Sequence, residues 1–141
     1  MTAQQIANFA VQNLYPGYDF VTAEMGPYHS SIRFDVIGLR RSKRISRIIE
    51  IKTSRSDFLA DKKWQKYIPY ATHLYFLSPK GIIKPEELDP RVGLIELTPV
   101  GKDYFRYEFT KRCRRLQDLS VDCYIQLIEA IAWREWRGKT G

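Results

Sequence analysis

The sequence predicts an α/β domain in which a mixed central β-sheet is flanked by helices. Two observations predict this fold class. Stretches with helical periodicity alternate with β-prone runs, and an apolar run at residues 71–78 follows a predicted helix, as a buried parallel strand does. The length of 141 residues, with 44% hydrophobic and 28% charged residues, is typical of one globular domain, residues 1–141.

The N-terminal half is predicted to contain one helix and three strands. Thr2 followed by Gln5 is a capping box, and apolar residues at helical spacing predict a first helix up to Pro16. Residues 18–25 are β-prone and alternate in polarity, which predicts the first strand. Residues 32–53 contain two strand-forming runs around a basic turn, and they predict a β-hairpin that supplies the second and third strands.

After the hairpin the hydrophobic period changes from that of a strand to that of a helix. Ser54 followed by Asp57 is a second capping signature, and the helical pattern continues to Pro69. The apolar run at residues 71–78 then predicts a fourth strand. Two consecutive strands joined by a helix usually form a crossover connection. We therefore expect the third and fourth strands to be parallel.

The C-terminal part is predicted to add two strands and one helix. Residues 92–98 and 104–109 are the predicted strands, and a helix with an apolar stripe follows Ser120. We expect Trp133 and Trp136 to anchor this last helix to the body of the domain rather than to stack on bases.

The hairpin is predicted to place two carboxylates side by side. With Ser42 and Lys43 as a two-residue loop, Asp35 pairs with Glu50, and directly opposite side chains share a face with Cβ atoms roughly 4.5–5.5 Å apart. Lys52, two residues beyond Glu50, lies on the same face. The alternative is an exposed sheet face on which Glu50 and Lys52 are an ordinary solvated pair.

A partly buried pair of carboxylates must take up a proton or bind a cation. Magnesium suits such a site, because it is held by one or two carboxylates together with waters and phosphate oxygens. A neighbouring lysine can orient a water or offset charge that develops on a phosphate. Glu24, at the end of the first strand, joins this group if the first two strands are antiparallel neighbours; otherwise it is a solvated residue at a strand end.

The charge balance favours a polyanionic partner. The chain has 23 Lys and Arg against 16 Asp and Glu, a formal charge of +7, and nucleic acid is the commonest partner of such proteins. A protein that is basic without this function is the alternative. Membrane binding is not expected, because the basic residues are dispersed and no apolar run reaches the roughly 18–20 residues that span a bilayer.

The second predicted helix carries candidate DNA-binding residues. Lys62, Lys63 and Lys66 suit a phosphate backbone that runs past the hairpin site, with a solvated lysine face as the alternative. Gln65 and Tyr67 are candidate hydrogen-bonding residues near the same cleft. The N-terminus has no basic segment of the kind that opens a signal peptide, so we expect a cytoplasmic location, with the protein at the nucleoid when it is bound to DNA.

The hairpin residues form a recognisable motif. Phe34-Asp35 on the second strand and Glu50-Ile51-Lys52 on the third resemble the PD-(D/E)xK nuclease superfamily, with Phe34 where the motif name has proline. The longer segments RFDVIG, IIEIKTSRSDFLADKKWQKY and HLYFLSP are similar to the MmcB-type DNA repair proteins, a bacterial branch of that superfamily. The resemblance covers roughly residues 20–97.

The resemblance implies a restriction-endonuclease-like three-layer fold with an αβββαβ core and metal-dependent hydrolysis of phosphodiester bonds. It implies Asp35 and Glu50 as ligands of Mg²⁺ or Mn²⁺, together with the backbone carbonyl of Ile51. Lys52 would assist the attacking water, and Glu24 would be an accessory acid.

Two functional hypotheses follow from the sequence. The first is a metal-dependent DNA nuclease of repair or recombination, or of a phage or restriction system. The second is a non-catalytic module of the same fold that uses its basic face to hold DNA or a repair-protein partner. Many members of this superfamily dimerise to cleave two strands, and the sequence leaves a monomer and a homodimer both open.

Overall fold

A computed structural model describes the backbone of residues 1–140 and the side chains of residues 1–138. Helices and strands alternate along these residues. The helices are α1 (Ala3–Asn13), α2 (Arg55–Ala60) and α3 (Val121–Thr140). The strands are β1 (Phe20–Met25), β2 (Phe34–Arg40), β3 (Ile45–Ile51), β4 (His73–Pro79), β5 (Gly93–Gly101) and β6 (Tyr104–Lys111).

The six strands form one mixed sheet in the order β1-β2-β3-β4-β5-β6. The pairs β1–β2, β2–β3 and β5–β6 are antiparallel, whereas β3–β4 and β4–β5 are parallel. The predicted crossover between the third and fourth strands is therefore confirmed, as is the antiparallel contact of the first two strands.

Helices cover both faces of the sheet. The face under α1 holds Val36, Ile49, Ile51, Tyr75, Leu77, Ile95 and Leu97. The opposite face holds Ile37, Ile48, Leu74, Phe76 and Leu94, and it is covered by Tyr67 and by Leu127 and Ala130 of α3. These layers confirm the predicted three-layer restriction-endonuclease-like fold.

The start of α1 follows the sequence prediction. The Thr2 hydroxyl accepts from the Gln5 N–H at 3.1 Å, and the Gln5 side chain accepts from the Thr2 N–H at 2.8 Å. This reciprocal capping box satisfies two N–H groups that have no partner inside the helix. It sets the helix so that Ile6, Phe9 and Ala10 are buried against the sheet.

The hairpin prediction is right in its register and wrong in its loop. Ile37 pairs with Ile48, as predicted, but β2 ends at Arg40 and β3 begins at Ile45. The loop therefore has four residues, closed by a 3.1 Å hydrogen bond from the Arg44 N–H to the Arg41 carbonyl. Widening the loop by one residue on each side leaves the pairing unchanged, so every predicted partner across β2 and β3 is preserved.

The second helix is shorter than the sequence predicts. Instead of continuing to Pro69, α2 ends at Ala60, and a 3-10 segment, Trp64–Tyr70, follows it. Asp61 breaks the helix with an extended backbone, ψ 120°, and its Oδ1 accepts from the Lys63 N–H at 2.7 Å. The prediction that one helix carries Lys62, Lys63 and Lys66 is consequently wrong.

The C-terminal helix packs on the sheet through part of its length. Leu127 is fully buried, but Trp133 and Trp136 are 45% and 55% exposed, so the expected anchoring role is at most partial. Trp133 does contact the body, with its ring centroid 6.4 Å from that of Tyr28. Across residues 1–140, none of the helices has the length and apolar character needed to cross a membrane.

Candidate active site

The predicted carboxylate pair forms where β2 begins and β3 ends. The pairing of Val36 with Ile49, continued by one residue, sets Asp35 opposite Glu50, and their side chains are hydrogen-bonded to each other. Asp35 Oδ2 also accepts from the Ile51 N–H at 2.7 Å. The Ile51 peptide unit and both carboxyl groups are thereby held in one small volume.

Glu50 is buried, with only 6% of its surface exposed. Burial, the hydrogen bond that protonated Glu50 donates to Asp35 and the repulsion of the Asp35 charge raise the pKa of Glu50 from its ordinary 4.5 to about 9, against an opposing effect of Lys52 and Tyr67. Near neutral pH the pair therefore holds a proton unless a cation replaces it.

Tyr67 completes the environment of Glu50 and was only a general candidate in the sequence. Its hydroxyl is hydrogen-bonded to Glu50, and burial and the Glu50 charge raise its pKa. Tyr67 consequently stays a neutral O–H group. Its ring lies edge-on to that of Phe34, with centroids 5.4 Å apart, which fixes the position of the hydroxyl.

Lys52 is also buried, and it has a carboxylate partner that the sequence did not indicate. Its Nζ lies 2.8 Å from Asp61 Oδ2, and the two side chains are 8% and 5% exposed. The two atoms form an ion pair without the directionality of a hydrogen bond. The ammonium also lies 6.0 Å from the centroid of the Phe76 ring.

These contacts decide between the two descriptions of the hairpin face. Glu50 and Lys52 are 6% and 7% exposed, so they are not a solvated surface pair. They line one cavity of about 220 Å³ together with Asp57, Asp61 and Tyr67. Buried Glu50, hydrogen-bonded to the partly buried Asp35, thus lies beside the buried Lys52.

Asp61 is the residue of this cavity that sequence reasoning missed. The run around it has uninterrupted helical spacing, and no glycine or proline marks a break there. At the break, Asp61 Oδ1 accepts from the Lys63 N–H, and Asp61 Oδ2 contacts the ammonium of Lys52, which lies outside the predicted helix pattern. A local pattern does not show such a contact.

Glu24 lies close to the site without joining a ligand cluster. Its register position is opposite Asp35, but its φ of 53° interrupts the ladder of β1 and β2, and its side chain is exposed. Glu24, Asp35 and Ile51 line a neighbouring cavity of about 360 Å³. Within residues 1–140, no group of three or more His, Cys, Asp or Glu side chains is arranged to hold a metal, so the accessory role of Glu24 stays a prediction.

Two of the three predicted DNA-binding lysines lie at the cavity. Lys62 and Lys63 line it beside Lys52 and Glu50, and both are exposed to solvent. Lys66 is exposed on the 3-10 segment and is not one of the residues that line the cavity. Because the helix is broken, the three lysines do not form a single face: Lys62 and Lys63 line the cavity, and Lys66 does not.

The fold and the motif together define a class of protein. A three-layer α/β fold with Asp on the second strand and Glu-x-Lys on the third is that of the restriction-endonuclease-like superfamily, and here all three side chains converge at one end of the sheet.

Comparison with known families gives the particular group. The chain belongs to the family described as DNA repair protein MmcB-like, whose model matches residues 2–112. This match extends beyond the segments that carried the resemblance in the sequence: it includes α1 and ends just after β6. The chain is therefore a member of a family of DNA repair proteins.

A solved structure has the same fold as this chain. A protein of unknown function from Silicibacter pomeroyi is 26% identical to this chain, with a TM-score of 0.76 over 97% of this chain and 88% of the other. Among the curated proteins, none matches the chain.

Proposed function

We propose that this protein is a divalent-metal-dependent nuclease that hydrolyses phosphodiester bonds of DNA during repair. DNA is its proposed partner, and the cytoplasm is its proposed location. The observation that supports the proposal most directly is buried Glu50, hydrogen-bonded to the partly buried Asp35, beside the buried ammonium of Lys52. Membership in a DNA repair family supports the choice of substrate.

The site residues fit a hard divalent cation. Asp35 and Glu50 would hold Mg²⁺ or Mn²⁺ in place of the proton that they share, and the carbonyl of Ile51 is the proposed third protein ligand. A bound ion would supply positive charge that polarises the phosphate and favours deprotonation of water. Tyr67 would hold the Glu50 carboxyl group in position through its hydroxyl.

Lys52 has the position of a group that acts on water or phosphate. Its ammonium lies in the same cavity as Glu50 and would offset charge that develops on the phosphate during attack. Asp61, 2.8 Å away, holds this ammonium in place and keeps its charge compensated before DNA binds. Lys62 and Lys63 at the rim of the cavity would contact the DNA backbone.

A cleavage assay tests the proposal. Purified protein is incubated with plasmid, single-stranded and branched DNA in the presence of Mg²⁺ or Mn²⁺, and Asp35→Asn and Lys52→Ala are compared with the wild type. We expect cleavage of at least one substrate and a loss of roughly 100-fold or more in both variants, because each removes a charge at the reacting phosphate. Glu108→Gln and Lys102→Ala are matched controls that should keep full activity, because these exposed residues lie on or next to the edge strand β6, away from β2 and β3. Absence of cleavage on every substrate, or cleavage by both site variants at the wild-type rate, would contradict the proposal.

A non-catalytic DNA-binding module of the same fold is the second candidate. The observation that favours it is that the site residues satisfy one another: Lys52 pairs with Asp61, and Glu50 pairs with Asp35 and Tyr67.

Titration of the protein with Mn²⁺ in a calorimeter separates the two functions. A nuclease site should bind the ion and release protons at about pH 8, because the ion displaces the proton of the pair. A binding module should give no heat and no proton release, and its DNA binding should be salt-sensitive without turnover.

A further inference from the structure

A second concave surface, separate from the cavity of Glu50 and Lys52, lies between the loop after β1 and α3. This groove has a volume of about 690 Å³. It combines exposed aromatic rings with arginines, and none of the residues that line it is acidic.

The aromatic part of the groove is a stacked platform on α3. Trp133 lines the groove and is 45% exposed; its ring stacks on that of Trp136 with centroids 5.1 Å apart and an interplanar angle of 27°. Tyr28, from the loop after β1, lies 6.4 Å from Trp133. An aromatic ring that is held by a second ring and open to solvent is a surface on which a nucleobase can stack.

The charged part of the groove consists of three arginines, which differ in how far their side chains are bonded to the protein. Arg134 is engaged with the protein: it donates to Thr22 Oγ1 at 2.7 Å and to the carbonyl of Glu24 at 3.0 Å. Arg33 and Arg137 have exposed side chains and line the same groove. Arg134 therefore fixes α3 to the end of β1, while Arg33 and Arg137 present charge to solvent.

The groove adjoins the candidate active site. Met25 lines the groove, and its chain neighbour Glu24 lines the cavity that also contains Asp35. The carbonyl of Glu24 accepts from Arg134 at 3.0 Å and from Arg33 at 3.4 Å. A strand of nucleic acid that leaves the carboxylate pair past Glu24 would therefore enter this groove.

We propose that the groove binds a single-stranded DNA segment next to the cleavage centre, with one base stacked on Trp133 and adjacent phosphates on Arg33 and Arg137. The proposal rests on the proposed function only in taking DNA as the partner. Bases inside a duplex are already stacked on one another, so only an unpaired base can lie on the Trp133 ring. Exposed arginines that line a groove whose described lining contains no acidic residue are suited to the phosphates of that strand.

Binding of a fluorescein-labelled oligo(dT) strand, measured by anisotropy in the presence of EDTA so that no cleavage occurs, tests the proposal. Trp133→Ala should weaken binding roughly tenfold or more, because base–aromatic stacking is lost. Arg137→Gln should lower the slope of log K against log salt by about 0.7, the value for one phosphate of a single strand. A blunt duplex should be much less sensitive to Trp133→Ala than the single strand is.

Matched controls lie at the other edge of the sheet. Tyr104→Ala removes an aromatic side chain that is 59% exposed, and Arg106→Gln removes an exposed arginine, both on β6. These controls should bind oligo(dT) as the wild type does. Thermal unfolding of each variant verifies that it is folded, and quenching of tryptophan fluorescence by oligo(dT) should disappear in Trp133→Ala if the base stacks on that ring.

The outcomes separate this inference from the nuclease proposal. Wild-type affinity of Trp133→Ala and Arg137→Gln for oligo(dT) would overturn the groove proposal and leave the cleavage test untouched. Wild-type protein that binds oligo(dT) through Trp133 but cleaves no DNA would overturn the nuclease proposal and leave the groove proposal standing. Binding of poly-glutamate in preference to oligo(dT), abolished by Arg137→Gln, would replace DNA by an acidic protein partner and also overturn the proposal.

Discussion

The Asp35–Glu50 pair stabilises the fold only when it is protonated. Two carboxyl groups that share a hydrogen bond in a buried site cannot both ionise without repulsion and loss of solvation. A hydrophobic pair at the same positions would avoid this cost, as Val36 and Ile49 do one step along the strands. The pair is therefore a local conflict with stability, of the kind that is found at functional sites.

This conflict predicts how the stability of the metal-free protein depends on pH. The pKa of Glu50 is raised in the folded state to about 9, so the folded protein binds the proton more tightly than the unfolded chain does. The stabilising effect is complete below the unfolded pKa near 4.5 and is lost as the pH rises through about 9. The free energy of unfolding should fall between about pH 5 and pH 9, with a limiting slope on the order of 1 kcal/mol per pH unit.

Urea unfolding in EDTA at several pH values measures this slope. Glu50→Gln keeps the shape and a hydrogen bond to Asp35 but cannot ionise, so its slope should be flatter and its stability at about pH 8.5 higher than that of the wild type. Glu108→Gln, on an exposed residue, should keep the wild-type slope. Parallel slopes for wild type and Glu50→Gln would show that Glu50 does not hold the proton.

At the scale of elements, the sequence predicts those contacts that depend on residues close together in the chain. The register of β2 and β3 was predictable because apolar alternation and a turn of even length leave one pairing that buries Ile37 and Ile48 together. The capping box at Thr2 and the N-cap at Ser54 were predictable because the residues of each signal lie within a few positions of one another.

The elements that were not predicted depend on distant partners. Where α2 ends, Asp61 contacts Lys52 on the far side of the capping turn, and helical periodicity carries no signal of this contact. The role of Tyr67 depends on the 3-10 segment that this break creates. Likewise, the exposure of Trp133 depends on where α3 passes the loop after β1, which the apolar stripe of that helix does not determine.

Arg47 of β3 joins several elements on the face under α1. Its Nη1 donates to the Leu14 carbonyl at the end of α1, at 2.6 Å, and its guanidinium lies 5.3 to 5.7 Å from four ring centroids. The rings are those of Tyr15, Tyr18, Tyr75 and Phe109. One side chain therefore connects α1, β3, β4 and β6.

We expect Arg47→Ala to lower the free energy of unfolding by about 3 kcal/mol, because a charged hydrogen bond, the cation–π contacts and the packing of the stem are lost together. Arg47→Met keeps most of the packing and should cost about half as much. Arg40→Ala, on an exposed residue of the same hairpin, is the control and should stay within about 0.5 kcal/mol of the wild type. Chemical denaturation measures all three, and equal stability of Arg47→Ala and the control would contradict this account of how α1 is attached.

At the scale of the whole molecule, the proposed DNA binding has two candidate sources, the net charge of +7 and the basic residues of one face. Lys62 and Lys63 lie at the active-site cavity, whereas Lys102 and Arg106 lie at the turn and strand of the β6 edge. That edge is three strand spacings from β3, about 14 Å across the sheet. Replacing either pair by glutamine removes the same amount of charge from a different place.

If the cavity face binds the DNA backbone, the double variant Lys62→Gln/Lys63→Gln should weaken duplex binding equally for all sequences. It should also reduce the slope of log K against log salt by about two. The double variant Lys102→Gln/Arg106→Gln should keep a slope close to that of the wild type. Equal losses in both variants would mean that binding follows total charge, as in a protein that is merely basic. Because the two variants have the same net charge, a difference between them measures the contribution of the face that contains Asp35, Glu50 and Lys52.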